Sequence, residues 1–200
     1  ETAAMLWRGV TLKELLVLWG GDERGSDYAG PREDFPVSIP VGTHALHAVG
    51  VAYAFKIRGQ KRAAVPVFGD GATSKGDVLE AFNFAGALRL PVVFVVINNQ
   101  WAISEPVTKQ TRVPLWERST GYGFPGVRVD GNDVFAVYAA TKRAVDLARG
   151  GKGPTFIEAK TYRLVPHSSD DDDRRYRSRE ETEEWAKKDP LSRFQAYLEE

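Results

Sequence analysis

The chain contains no cysteine. Disulfides, thiolate metal centres and cysteine nucleophiles are therefore excluded, while the compartment stays unassigned. It also lacks net charge, since 27 lysines and arginines balance 27 aspartates and glutamates over 200 residues. A nucleic-acid or membrane-surface binder would usually carry a basic excess, so neither partner is expected. No apolar run approaches the length of a membrane span. There is no internal repeat, no Gly-Lys-Ser/Thr phosphate loop, and no Gly-x-Gly-x-x-Gly opening a helix. What is present is ordinary globular composition, 42% hydrophobic and 27% charged, enough for one sizeable core or a domain with a tail. Glu1-Thr2-Ala3-Ala4-Met5 reads neither as a start nor as a signal peptide, so a fragment or processed piece is expected.

Thr11-Leu12-Lys13-Glu14 has the form of a capping box opening a short helix that Gly20-Gly21 closes. Residues 20–38, rich in Gly, Pro, Asp and Glu, read as a long irregular stretch of the kind that is often functional or partner-facing. Thr43 to Lys56 reads as a helix of small residues, suited to tight packing or to close approach of a ligand; His44 and His47 on it read as packing or capping groups. Ala63 to Gly69 reads as a strand with Pro66 near its start or at an edge. Asp77 to Leu88 is a helix with Val78, Leu79, Phe82 and Ala85 on one face. Pro91 to Ile97 is a β-branched run typical of a parallel strand buried on both faces. Asp133 to Arg149 is a helix capped by Asp133 and ended by Gly150, and Thr155 to Lys160 is another strand. The alternation predicts an α/β fold, a parallel sheet flanked by helices with right-handed crossovers. The charge run from Ser168 to Glu184 favours mobility. A short amphipathic helix closes the chain, with Leu191, Phe194 and Leu198 as its apolar positions.

Open α/β sheets bind ligands beyond the carboxyl ends of their strands. Two such ends stand out, Gly69-Asp70-Gly71 and Asn98-Asn99, joined by the 77–88 crossover helix. That connection predicts Asp70 and Asn99 side by side on one rim. A carboxylate and an amide oxygen are hard ligands, and the flanking glycines let backbone and phosphate approach closely. Magnesium takes one or two such protein oxygens and completes its octahedron with substrate phosphates, so the pattern suits a magnesium diphosphate. The backbone carbonyl of Trp101 could add a third protein oxygen. The competing reading makes Asp-Gly and Asn-Asn simple turn residues after strands. Their separation of 29 residues, as in a βαβ unit, favours the site.

GDGATSKGDVLEAFNFAGALRLPVVFVVINNQWAIS (69–104) resembles the thiamine-diphosphate motif of the alpha subunit of the decarboxylating component of 2-oxo acid dehydrogenase complexes. The likeness extends over LWRGVTLKELL (6–16), DFPVSIPVGTHALHAVGVA (34–52), GFPGVRVDGNDVFAVY (123–138), GPTFIEAKTYRLVPHSSDDDDRRYRSREE (153–181) and EEWAKKDPLSRF (183–194). The resemblance implies that Asp70 and Asn99 donate side-chain oxygens, and Trp101 its carbonyl, to Mg2+. It implies that Gly71 and Ala72 lie against the diphosphate and that Ile39-Pro40-Val41 meets the aminopyrimidine ring through its backbone. Arg163 is implied to reach the diphosphate. His167 matches an active-site histidine at the head of a flexible loop, and Ser168 a serine that mitochondrial relatives phosphorylate. Read without the resemblance, His167 would be a solvated loop histidine and Arg163 a strand-end charge. The domain plan that follows is a thiamine-diphosphate-binding α/β domain over 1–163, a mobile active-site loop over 164–179 and a C-terminal helical segment over 180–200. A usual alpha subunit has a further N-terminal part with a diphosphate-holding Tyr-Arg pair, which this sequence does not include.

The resemblance further implies oxidative decarboxylation of a 2-oxo acid, pyruvate ahead of branched-chain substrates, with acyl transfer to a lipoyl-bearing acyltransferase. A beta subunit is expected to complete an alpha2-beta2 active site. The expected location is cytoplasmic in a bacterium and the mitochondrial matrix in a eukaryote. The alternatives are a non-catalytic assembly fragment and a different thiamine enzyme; enzymes of the transketolase or acetolactate-synthase kind lack a loop like PHSSDDDD.

Overall fold

The structure is a computed structural model that describes residues 2–199, in two compact units, one ending at Pro40 and one beginning at Val41. In the first, α1 (Thr2–Trp7) and α2 (Leu12–Trp19) are followed by a 3-10 turn, Glu23–Ser26, and an irregular run. Val10, Leu15 and Tyr28 make its small core, with Met5 and Leu18 packed against them. The capping box is present: Thr11 caps the Glu14 N–H, and the Glu14 carboxylate accepts from the Thr11 N–H at 2.7 Å. The other oxygen of Glu14 accepts from the Ala29 N–H at 2.7 Å, so one carboxylate ties the helix start to the irregular stretch. Arg8 grips Asp34 with two bonds of 2.6 and 3.0 Å.

The second unit starts with α3 (Thr43–Ile57), followed by β1 (Val67–Gly69), α4 (Gly76–Ala87) and β2 (Val93–Asn98). A small hairpin of β3 (Trp101–Ala102) and β4 (Glu105–Pro106) leads into α5 (Val107–Gln110). Then come a 3-10 stretch, Leu115–Tyr122, and β5 (Gly126–Asp130), α6 (Val134–Arg149), β6 (Thr155–Lys160), α7 (Arg179–Ala186) and α8 (Pro190–Glu199). The main sheet is wholly parallel, in the order β1-β2-β6-β5. No helix among the described residues is long and apolar enough to cross a membrane.

Side chains alternate across the sheet, as strand geometry requires. One face carries Phe94, Val96 and Phe156 against α3 and α4, with Phe82 at the centre. The other carries Val93 and Ile157 against Ala144 and Ala148 of α6. The strand expected over 63–69 is shorter than its apolar run. Pro66 has no N–H to give, so the regular ladder begins at Val67, preceded by an isolated bridge from Ala64 to Val92. β1 is an edge strand, where that proline is tolerated. The last helix also departs from expectation. Leu191 and Leu198 are 78% and 67% exposed, and the helix instead packs Phe194 and Tyr197 on Phe135, at ring separations of 5.6 and 5.1 Å.

Candidate functional site

The chain runs β1, β2, then β5 and back to β6, with α4 on one face and α6 on the other. The winding therefore reverses between β2 and β6, and the crevice beyond their carboxyl ends is where such sheets bind ligands. Register pairs Gly69 with Ile97, so the residues after β1 and β2 share one rim. Thr161 and Arg163, just past β6, donate backbone N–H groups to the Asn98 and Asn99 carbonyls at 2.9 and 3.3 Å. Asp70 and Asn99 therefore come together as sequence spacing suggested, and Arg163 joins them as the family resemblance implied.

Asp70 is 1% exposed. Burial pushes its carboxyl above the usual carboxylate range, against the Gln110 amide, the backbone N–H groups of Asp70 and Asn99, and the nearby charge of Arg163. Gln110 Nε2 donates to Asp70 Oδ2 at 2.9 Å. Thr73 Oγ1 donates to the Asp70 carbonyl at 2.7 Å, and Arg118 anchors Thr73 at its carbonyl and hydroxyl, at 3.0 and 3.1 Å. The turn carrying Asp70 is thereby fixed from behind.

Asn98 and Asn99 have distinct jobs. Asn98 is buried and donates to Glu158 Oε1 at 2.6 Å, while the other oxygen of Glu158 accepts from the Trp116 N–H at 3.0 Å. Asn99 Oδ1 accepts from the Trp101 N–H at 3.1 Å, an Asx-type turn that leaves this oxygen a second lone pair. The hairpin is strained on both sides of Trp101-Ala102, because Gln100 and Ile103 hold φ of 74° and 57°. Such backbone costs about 1–3 kcal/mol per residue and clusters at functional sites. Gly71 permits the close approach of the two tips, since a Cβ there would lie 2.9 Å from the Ala102 Cβ.

Arg163 points its guanidinium at the hairpin, donating to the Trp101 carbonyl at 3.0 Å and to the Ile103 carbonyl at 2.8 Å. It also donates to the Tyr176 hydroxyl at 2.7 Å, and the Tyr176 ring lies 5.3 Å from that of Trp101. Tyr176 in turn donates to Asp171, whose carboxylate accepts from the His167 backbone N–H at 2.8 Å. The Tyr176 and His167 hydrogen bonds hold the Asp171 carboxyl below the usual range. The segment closes on Arg177, which is 7% exposed and binds the Arg163 and Val165 carbonyls and Asp173. Arg177→Ala would orphan those carbonyls at a local cost of about 1–3 kcal/mol. The expected result is faster amide exchange confined to residues 163–177, with the sheet amides unchanged.

Ile39 and Val41 are apolar and exposed, 75% and 57%. His167 and Ser168 are exposed on the segment after Arg163. His44 is a packing residue, its Nε2 2.7 Å from the Val67 carbonyl oxygen. Gln110, Arg118, Glu158, Tyr176 and Arg177 were not singled out in the sequence. Gln110, Arg118 and Glu158 reach partners 40 or more residues away, and Tyr176 and Arg177 lie in the charged stretch that composition assigns to solvent. Among the described residues no group of three His, Cys, Asp or Glu side chains is set to hold a metal. The candidate set is instead one carboxylate, one amide and one backbone carbonyl. A cavity of about 250 Å³ lies along the same rim, lined by residues including Asn98, Gln100, Arg128, Glu158 and Lys160, but by neither Asp70 nor Asn99.

Comparison with known proteins gives a consistent result. The family model "Dehydrogenase E1 component" matches residues 1–200. The chain is 48% identical to the alpha subunit of 3-methyl-2-oxobutanoate dehydrogenase of Mycobacterium tuberculosis, over 100% of this chain and 55% of that protein. It is 44% identical to the pyruvate dehydrogenase E1 component subunit alpha of Acholeplasma laidlawii, over 99% of this chain and 58% of that one. The corresponding subunit of Staphylococcus aureus is 43% identical over 100% of this chain and 54% of its own length. The chain thus spans a little over half the length of these curated relatives.

Proposed function

The chain belongs to the dehydrogenase E1 component family, and on that premise we propose that it supplies the cation- and diphosphate-binding part of a thiamine-diphosphate-dependent site for oxidative decarboxylation of a 2-oxo acid. One observation carries the reading: the buried Asp70 carboxylate, the Asn99 side chain and the Trp101 carbonyl share one strand-end rim with a cationic partner already present. The residues fit a divalent cation with a diphosphate. Burial of Asp70 calls for a positive charge, the donor set is all oxygen, and Arg163 stands at the Trp101 carbonyl as a protein cation. Gln110 Oε1 is buried and lacks a protein partner, as an acceptor facing a missing donor would.

In this proposal Asp70, Asn99 and the Trp101 carbonyl hold Mg2+. The backbone of Gly71 and Ala72 lies against the diphosphate, and the Arg163 guanidinium adds charge to the same group. Val41 offers its backbone to the aminopyrimidine. When bound, thiamine diphosphate supplies the nucleophile and electron sink that decarboxylation needs. His167 holds or delivers a proton during acyl transfer to a lipoyl-bearing partner. The segment over 164–179, anchored at Arg177, covers the site against water. A beta subunit provides the remaining cofactor contacts. Pyruvate is the substrate favoured by the first half of the sequence, whereas the 48% identical relative favours 3-methyl-2-oxobutanoate. Decarboxylation of both acids by the full-length subunit assembled with its beta partner tests the proposal. Mg2+- and thiamine-diphosphate-dependent turnover of either is expected, the higher kcat/KM naming the substrate. An assembled complex that binds neither group would make this an assembly fragment instead.

A further inference from the structure

Gln110 sits at the end of α5, the four-residue helix that follows the β3–β4 hairpin. That helix is tied to the hairpin by the Val107 N–H, which donates to the Gln100 carbonyl at 2.9 Å. The Gln110 amide nitrogen donates in two directions, to Asp70 Oδ2 at 2.9 Å and to the Glu105 carbonyl at 3.2 Å. The Glu105 carbonyl can only accept, which fixes the amide orientation: a flipped amide would set oxygen against a carbonyl oxygen. One NH2 group thus spans the gap between the tip carrying Asp70 and the hairpin carrying Trp101. Its oxygen is left over, buried and without a protein partner. Buried amide oxygens rarely go unpaired, and such an exception calls for a partner that is absent from the protein itself.

Resting on the cation reading above, we propose that Gln110 is a positioning residue for the divalent-cation site. Its N–H groups set the distance between Asp70 and the Trp101 hairpin and occupy Oδ2, which leaves Oδ1 to the cation. Its free Oε1 accepts a hydrogen bond from a water in the hydration shell of the cation. Mg2+ keeps several waters when bound by few protein ligands, so the shell offers such a donor. Outer partners of this kind typically contribute about 10–100-fold to metal affinity.

The test uses Mn2+ as probe, titrated with thiamine diphosphate into the full-length subunit assembled with its beta partner. Affinity is read by electron paramagnetic resonance, and the bound waters by water-proton relaxation. Gln110→Met keeps the length and volume but removes both hydrogen-bonding functions. It is expected to weaken Mn2+ about 10–100-fold and to change the relaxation per bound Mn2+, by more than its loss of apo stability accounts for. Gln110→Asn keeps an amide one methylene too short to bridge both acceptors, and should lose affinity similarly. If the wild type binds Mn2+ and both variants bind it equally well, or lose affinity only as far as they lose apo stability, the positioning role is wrong while the cation site stands. If the wild type binds no Mn2+, both are wrong.

Discussion

Asp70→Asn is expected to make the cofactor-free protein more stable at neutral pH while removing cation binding. The carboxylate is buried and its pKa is raised, chiefly by desolvation, so the folded state holds the Asp70 proton more tightly than the unfolded chain does. Asp70 therefore favours folding most at pH below its unfolded value. That contribution is lost as pH rises through the folded value, and above it the ionised group costs stability. An amide of the same shape still accepts from Gln110 and from the backbone but carries no charge to desolvate. The stability gained over wild type should be largest near neutrality and should vanish in acid, as seen in paired thermal melts across pH. Cation affinity should fall by more than the roughly 10–100-fold typical of an outer partner, since a direct ligand is removed. A residue kept at a cost to the fold, with no loss of binding on replacement, would speak against the site.

Phe82→Ala should produce the largest loss of stability. The Phe82 ring lies 4.7 Å from that of Phe94, 4.9 Å from Phe156, 5.7 Å from Phe124 and 5.8 Å from Tyr122. It is 1% exposed and joins α4 to two central strands and to the segment before β5. Truncating such a ring removes its transfer energy and leaves a cavity, costing about 3–5 kcal/mol. Set against a total of about 5–15 kcal/mol for an ordinary domain, that is a large share. Equilibrium denaturation should show a much lower midpoint with the slope nearly unchanged. Because α4 connects the two site strands without contributing a ligand, the folded fraction should still bind Mg2+ and thiamine diphosphate. Loss of binding in a fully folded variant would mean that the tips depend on this packing.

Much of this framework is local in sequence, and that is why it could be read there. The helix starts at Thr11 and Asp133 carry their own caps, and Pro91 to Ile97 carries the continuous apolar run of a twice-covered strand. Asp70 and Asn99 were legible because each follows a strand and a βαβ crossover has only one common hand. β5 was missed because its apolar residues are half exposed and its pattern is short; Val127 and Arg128 are both exposed on this edge strand. Leu191 and Leu198 misled because spacing identifies an apolar stripe without identifying what meets it. Arg177 lay inside a charge run that composition assigns to solvent, yet it is buried because two backbone carbonyls and Asp173 satisfy it. Gln110 was invisible for a related reason: its partner lies 40 residues away and no periodicity connects them.

The central claim is that the tips after β1 and β2 grip one divalent ion. Anomalous diffraction from crystals of the assembled protein, grown with Mn2+ and thiamine diphosphate, tests it most directly. A single strong peak is expected about 2.0–2.3 Å from an Asp70 carboxylate oxygen, Asn99 Oδ1 and the Trp101 carbonyl. A diphosphate bound with no peak there, or with the metal held by other residues, would contradict it.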